Sequence, residues 1–192
     1  MTQSNDAQPL LVHWRAHHLL LCGSTYVGKG YTPEYSEQLN RAMAAINSRP
    51  EGVAVKLVDG PDDWCKPLQQ GTDKASMGHR QHCTHPATAE RDQQAMAGLS
   101  GILGRSLQAG NTVHLTPALV LEMRKAFYRA TRAKQRDKTG TYKDARSGCN
   151  ACAWSKLCDE VTLRGFPGVK LLPEVVPRRI IPLVQLGNEP PP

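Results

Sequence analysis

The sequence predicts an α+β fold, dominated by helices with a few short strands, in a single domain. Three observations lead there. Thr32-Pro33 and Thr116-Pro117 each open a run with apolar residues at helical spacing, and a capping hydroxyl followed by proline is a common helix start. Val53, Val55 and Leu57, and later Val113 and Leu115, alternate as short strands do. The chain has 192 residues, enough to bury a core, yet only 5% are aromatic and it carries 16 Gly and 14 Pro. That balance favours modest helices joined by many loops.

Taken in order, residues 1–9 are polar and are expected to be disordered. Leu10 to Cys22 reads as an apolar helix, or as a strand running into one. Gly23 to Tyr31 reads as a loop around Gly28-Lys29-Gly30, too short for a phosphate loop and lacking Ser or Thr after the lysine. Thr32 caps a helix that carries Tyr35, Leu39, Met43 and Ile46 to about Asn47. The strand from Val53 ends in the turn Asp59-Gly60-Pro61-Asp62-Asp63. Lys66 to Pro86 has little periodicity and reads as a long loop. Thr88 caps a helix through Met96, Leu99 and Leu103, stopped by Gly104. After the second strand, Leu119, Leu121, Met123, Phe127 and Tyr128 mark a helix that emerges as a basic segment. Gly140 to Gly148 reads as a loop, and Trp154 to Arg164 as a short helix stopped by Gly165. The predicted organisation is therefore a polar start at 1–9, one domain over 10–172 and a proline-rich tail over 173–192.

Composition excludes some classes and favours others. Among these residues no run of about 18 apolar positions exists, so no membrane span is expected. His13, Arg15, His17 and His18 interrupt the one apolar stretch near the start, so it makes no signal-peptide core. A cytoplasmic, reducing setting is expected. The six cysteines then point to metal or redox chemistry before disulfides.

The chemistry concentrates in Cys149-Asn-Ala-Cys152-Ala-Trp-Ser-Lys-Leu-Cys158. A close pair lets two sulfurs reach one centre from a tight turn, and Cys158 adds a third from the next helix. Zinc and a four-iron cube both take a fourth ligand. Cys65, Cys83, Cys22 and the histidines are the candidates. Cys65 is favoured, because it follows Asp62-Asp63-Trp64 on the turn after a strand. Cys83 competes from its loop beside His79, His82 and His85, whereas Cys22 reads as a buried free thiol in an apolar run. Zinc sites more often use two separated pairs. A triplet with one distant partner instead fits an iron–sulfur cluster, [4Fe-4S] in type, with zinc as the alternative. The domain is thus expected to be clasped by its metal centre.

The stretch Gly148 to Leu171 (GCNACAWSKLCDEVTLRGFPGVKL) resembles the end of domain-of-unknown-function family 1284 of bacteria and archaea. Arg15 to Cys22 (RAHHLLLC), Tyr26 to Tyr31 (YVGKGY), Gly60 to Cys65 (GPDDWC) and the His82-Cys83 pair are similar to that family as well. The likeness covers about residues 10–172. It implies iron–sulfur binding and puts Cys22, Cys65, Cys83, Cys149, Cys152 and Cys158 on family cysteine positions. Some members carry a second cysteine soon after the position of Cys65, where this chain has Lys66-Pro67-Leu68.

Two further segments carry function-bearing residues. His17 and His18, with Arg15, Asp62 and Asp63, are the groups a metalloenzyme would use; His13 and His17 stand four apart, a spacing that grips a metal on a helix. Residues 124–146 carry nine Lys or Arg against two Asp, a local excess equal to the formal net charge of +7. That run offers contact with a nucleic-acid backbone, with Phe127, Tyr128 and Tyr142 available for stacking. A redox partner is the other expected contact.

Overall fold

The computed structural model describes residues 10–177 apart from Asp73 and Lys138. The polar start at 1–9, Lys138 of the basic run and the tail from 178 lie outside the described residues.

A three-stranded sheet lies at the centre, in the order β1-β2-β3. Strand β1 (Leu11–Trp14) runs parallel to β2 (Val53–Leu57), pairing Leu11 with Ala54 and Trp14 with Leu57. Strand β3 (Thr112–Leu115) runs antiparallel to β2, pairing Val53 with Leu115. The alternation of β2 has its expected cause: Val53, Val55 and Leu57 are buried and Lys56 is exposed.

After β1 the chain turns helical at Ala16, passes through a π-helical turn (His18–Cys22) and continues into the short α1 (Gly23–Thr25). Helix α2 (Pro33–Asn47) starts as its sequence dictates, with Thr32 Oγ1 accepting from Tyr35 N at 3.1 Å. It buries Tyr35, Leu39, Met43 and Ile46 on one face. Helix α6 (Pro117–Arg136) repeats that start, Thr116 Oγ1 accepting from Leu119 N at 3.2 Å. Helix α5 (Pro86–Leu103) ends at Gly104, which takes the left-handed conformation (φ 64°) that glycine adopts without strain. Apolar residues of all three long helices and of the sheet join one core with Trp14, Leu19, Leu20, Leu99, Met123 and Phe127.

Three local expectations are corrected. Lys66 to Pro86 is not a loop; it holds α3 (Lys66–Gln70), α4 (Lys74–His79) and a 3-10 turn (Arg80–Thr84). These pieces are too short to show an apolar period, and buried Leu68, Ser76 and Cys83 pin them one at a time. Helix α5 is capped by His85, whose Nδ1 accepts from Ala87 N, and not by Thr88, whose hydroxyl donates to His82 O. The Gly140–Gly148 stretch contains a 3-10 turn (Asp144–Cys149) that leads into the cysteine motif.

That turn packs tightly on α5. A side chain at Gly148 would place its Cβ 2.8 Å from Arg91 Cγ and 3.1 Å from Arg91 O. Gly148 O in turn accepts from Arg91 Nε at 3.0 Å. The glycine therefore sets how closely the cysteine turn approaches the helix. Helix α7 (Ser155–Leu163) then carries Cys158 back toward α1.

Candidate metal centre

All six cysteines line one cavity of about 220 Å³, together with His17, His18, Tyr31, Trp64, Arg91 and Trp154. Within it the thiols fall into two groups.

The first group is Cys22, Cys149, Cys152 and Cys158. Cys22 sits at the end of the π turn, Cys149 at the end of the 3-10 turn, Cys152 just after it, and Cys158 inside α7. Burial pushes the Cys22 thiol well above its ordinary range, and the nearby thiols of Cys152, Cys158 and Cys149 push it further. Burial likewise raises Cys149 and takes Cys158 up to about 11. Thr25 opposes this at Cys158 by donating to its Sγ at 3.2 Å. Arg146 opposes it at Cys149, and Arg91 acts in the same direction on Cys149 and Cys22.

Arg146 is fully buried, its guanidinium carbon 4.0 Å from the ring centres of both Phe127 and Tyr142. Its Nη1 donates to Asp159 Oδ1 and to Thr131 Oγ1, each at 2.5 Å. Its Nε and Nη2 are buried without a hydrogen-bond partner. A charged donor so placed beside a thiol is arranged for an anionic neighbour.

The second group is Cys65 and Cys83 with His18 and Asp62. The two thiols interact, which eases ionisation of Cys83 and holds Cys65 in its protonated form. A ring nitrogen of His18, a carboxylate oxygen of Asp62 and the Cys65 sulfur lie within 4.8 Å of one another, close enough to hold a metal ion. Asp62 organises the group: Oδ2 accepts from His18 Nδ1 and Arg15 N, both at 2.7 Å, and Oδ1 from Trp64 N and Cys65 N at 3.0 and 3.3 Å. Burial alone would raise this carboxyl, but His18 and the hydrogen bonds outweigh it and bring it to about 2. Trp64 stacks on His18 with ring centres 5.0 Å apart and planes at 14°.

Arg15 and His17 hold this second group to the rest of the fold. Arg15 donates to Asp92 Oδ2 at 3.1 Å and to Cys83 O at 2.6 Å. His17 meets Asp92 through both its backbone N–H (3.0 Å) and its ring Nδ1 (3.2 Å). Burial drives the His17 imidazole down to about 3, so it is neutral at physiological pH. Asp63 accepts from His13 N at 2.6 Å. The twin aspartates thus fasten the turn to β1.

Of the three distant cysteines, the structure sets Cys22 beside the triplet and pairs Cys65 with Cys83. Sequence reading held Cys22 among the candidate fourth donors, on a family cysteine position, but favoured Cys65 and read Cys22 as a buried free thiol. His13 lies in β1, so it shares no helical face with His17. His79 and His82 pack around Tyr31, at 4.4 and 5.7 Å between ring centres, and His85 caps α5. Cations of the 124–146 run are partly turned inward: Arg124 and Arg146 are buried. Lys125, Lys134 and Lys143 pair with Glu122, Asp159 and Asp137. Arg129, Arg132 and Arg136 remain exposed on α6.

Among the described residues no helix is long and apolar enough to cross a membrane. A family model described as Protein of unknown function (DUF1284) matches residues 30–158, a span that holds Cys65, Cys83, Cys149, Cys152 and Cys158. No curated protein and no solved structure matches the chain.

Proposed function

This chain belongs to the DUF1284 family, and we propose that it is an iron–sulfur protein whose cluster is held by Cys22, Cys149, Cys152 and Cys158. The observation that carries the proposal is the convergence of these four thiols on one cavity, one from near residue 22 and three from the stretch 149–158. The donor set fits the group. Four thiols are the ligand complement of a [4Fe-4S] cluster. Arg146, buried beside Cys149, and Arg91 supply positive charge against an anionic occupant.

Spacing favours a multi-iron centre over a single zinc. Zinc binds sulfur at about 2.3 Å, so its thiolates stand roughly 4 Å apart. Among the described residues, three donors close to within 4.8 Å only at His18, Asp62 and Cys65. The Cys22 set is more open than that.

When bound, such a cluster supplies one-electron transfer. The chain's own residues tune it and expose it. Thr25 donates to Cys158, and hydrogen bonds to ligand sulfur raise a cluster's potential. Cys22, Cys152 and Cys158 keep partial exposure, which supports exchange of electrons with a partner over a purely structural role. Because the thiols of Cys22, Cys149 and Cys158 are raised, loading must release protons and must weaken as pH falls.

The test is purification without oxygen, with iron, acid-labile sulfide and zinc quantified and the visible and paramagnetic spectra recorded before and after reduction. A brown protein with matching iron and sulfide is expected. A colourless protein carrying zinc at the Cys22 set would overturn the proposal.

A further inference from the structure

We propose that His18, Asp62 and Cys65 form a mononuclear site for a divalent ion of the zinc class, separate from the cluster. None of the four thiols assigned to the cluster belongs to it, so the two centres stand or fall independently.

Geometry carries the ligand set. A ring nitrogen of His18, a carboxylate oxygen of Asp62 and the sulfur of Cys65 lie within 4.8 Å of one another, and among the described residues no other three such donors close so far. Imidazole nitrogen, carboxylate oxygen and thiolate sulfur are all zinc ligands, and three of them with a fourth position left to solvent or a substrate atom is the pattern of catalytic zinc sites. The charge closes as well. Asp62 and Cys65 are buried, and a dication bound by one carboxylate and one thiolate leaves no net charge in the interior, where an unpaired charge is costly. His18 and Cys65 line the shared cavity, which gives an ion its way in.

The carboxylate is held ready. Asp62 accepts from three backbone N–H groups: Oδ2 from Arg15 at 2.7 Å, and Oδ1 from Trp64 and Cys65 at 3.0 and 3.3 Å. Those bonds aim it without closing the site. Its remaining hydrogen bond comes from His18 Nδ1 at 2.7 Å, and that proton is the one a cation replaces. Bound at about 2.0–2.2 Å, a nitrogen and an oxygen stand roughly 3 Å apart on a metal, so the pair has to open only slightly. The imidazole then carries its proton on Nε2, and Cys65 gives up its thiol proton to solvent. Stacking on Trp64, with the planes at 14°, holds the His18 ring in place.

A second observation points to an occupant at the same place. Trp64 is buried and lines the cavity against His18, yet its indole Nε1 meets no hydrogen-bond partner among the described residues. Buried N–H groups are rarely left unpaired. A hydroxide or a substrate oxygen on the fourth position of the metal is an acceptor of the kind this N–H lacks.

The test uses the full-length protein made without oxygen, with iron and zinc both supplied. Wild type is expected to hold about one zinc per chain besides its cluster iron. X-ray absorption at the zinc edge is expected to find a single sulfur at about 2.3 Å among nitrogen and oxygen neighbours at about 2.0–2.2 Å. Two or more sulfurs around zinc would overturn the site, and four would overturn the cluster with it. Iron and sulfide without zinc would remove this site alone, whereas zinc with one sulfur and no iron would remove the cluster alone. Cys65→Ser, His18→Gln and Asp62→Asn are each expected to abolish nearly all bound zinc and to leave iron and sulfide unchanged. Zinc retained in Cys65→Ser, or iron lost along with zinc from that variant in its folded form, would overturn the site. Should the variants fail to fold, the absorption spectrum of wild type decides alone.

Discussion

The two thiol groups share a cavity but are built in opposite ways. The His18–Asp62–Cys65–Cys83 group is wired in advance: Asp62 accepts four hydrogen bonds, and Arg15 and His17 bind it to Asp92 on α5. The Cys22–Cys149–Cys152–Cys158 group is met by Thr25, which donates to Cys158, and by the buried Arg146 guanidinium beside Cys149, and is otherwise surrounded by packing. Its thiols raise one another. The contrast teaches where each group draws its order: the first from a hydrogen-bond network, the second from packing and nearby charge.

The sharpest way to break that contrast is a pair of substitutions read by iron content. Cys22→Ser is expected to abolish nearly all cluster iron, and Cys65→Ser to leave it intact. Equal loss in both would merge the groups into one centre.

Next in size is the salt bridge beneath the cluster group. Asp159→Asn removes the counter-charge of buried Arg146, and breaking such a pair costs about 3 kcal/mol. Urea unfolding of the metal-free chain should report it. Cluster loading should recover part of the loss, which would not happen if Arg146 faced only protein.

Gly148→Ala probes the packing of the cysteine turn. A Cβ 2.8 Å from Arg91 Cγ forces a shift, expected to cost about 1–3 kcal/mol. Iron retention should fall.

Acid titration separates the groups by sign. His17 is held neutral, with its proton affinity depressed from 6.5 to about 3 chiefly by burial. Unfolded chains take up that proton first, so His17 stabilises the fold fully above pH 6.5 and progressively less as pH falls toward 3. His17→Gln should flatten the stability profile in that window by up to about one proton, measured by denaturant unfolding at successive pH values. An unaltered slope would show that the imidazole is already charged in the fold.

The smallest expected effect is at Thr25→Val, which removes the hydrogen bond to Cys158. A redox titration should find the cluster potential lowered and its iron content retained.

The parts of this molecule legible in the sequence are those fixed by neighbours in the chain. Thr32 and Thr116 cap helices because their hydroxyls reach backbone N–H groups three residues on. Strands β2 and β3 are visible because alternation registers burial on one side of a sheet. The triplet is visible because ten residues hold three thiols. That Cys22 stands beside the triplet was not legible, for a physical reason. A π turn adds a residue per revolution, so a helical wheel misplaces the residues at its end. The cysteines it meets lie at the far end of the domain, across a fold that no local pattern describes. The pairing of Cys65 with Cys83 was hidden likewise, because the short helical pieces between them bury single residues and carry no period.

Arg124 sets a limit on how the gene can be trimmed. It reaches from the middle of α6 to the carbonyls of Leu171, Leu172 and Val175, and to that of Ser24, with no exposed surface of its own. An expression boundary drawn at residue 170 would strip three of those four acceptors and strand a cation in the interior. The same cut would free the strap that closes over α1, next door to Thr25 and Cys158. Shortened versions made for crystallisation should therefore keep the chain through Val176, or they will lose stability for a reason far removed from the cysteines.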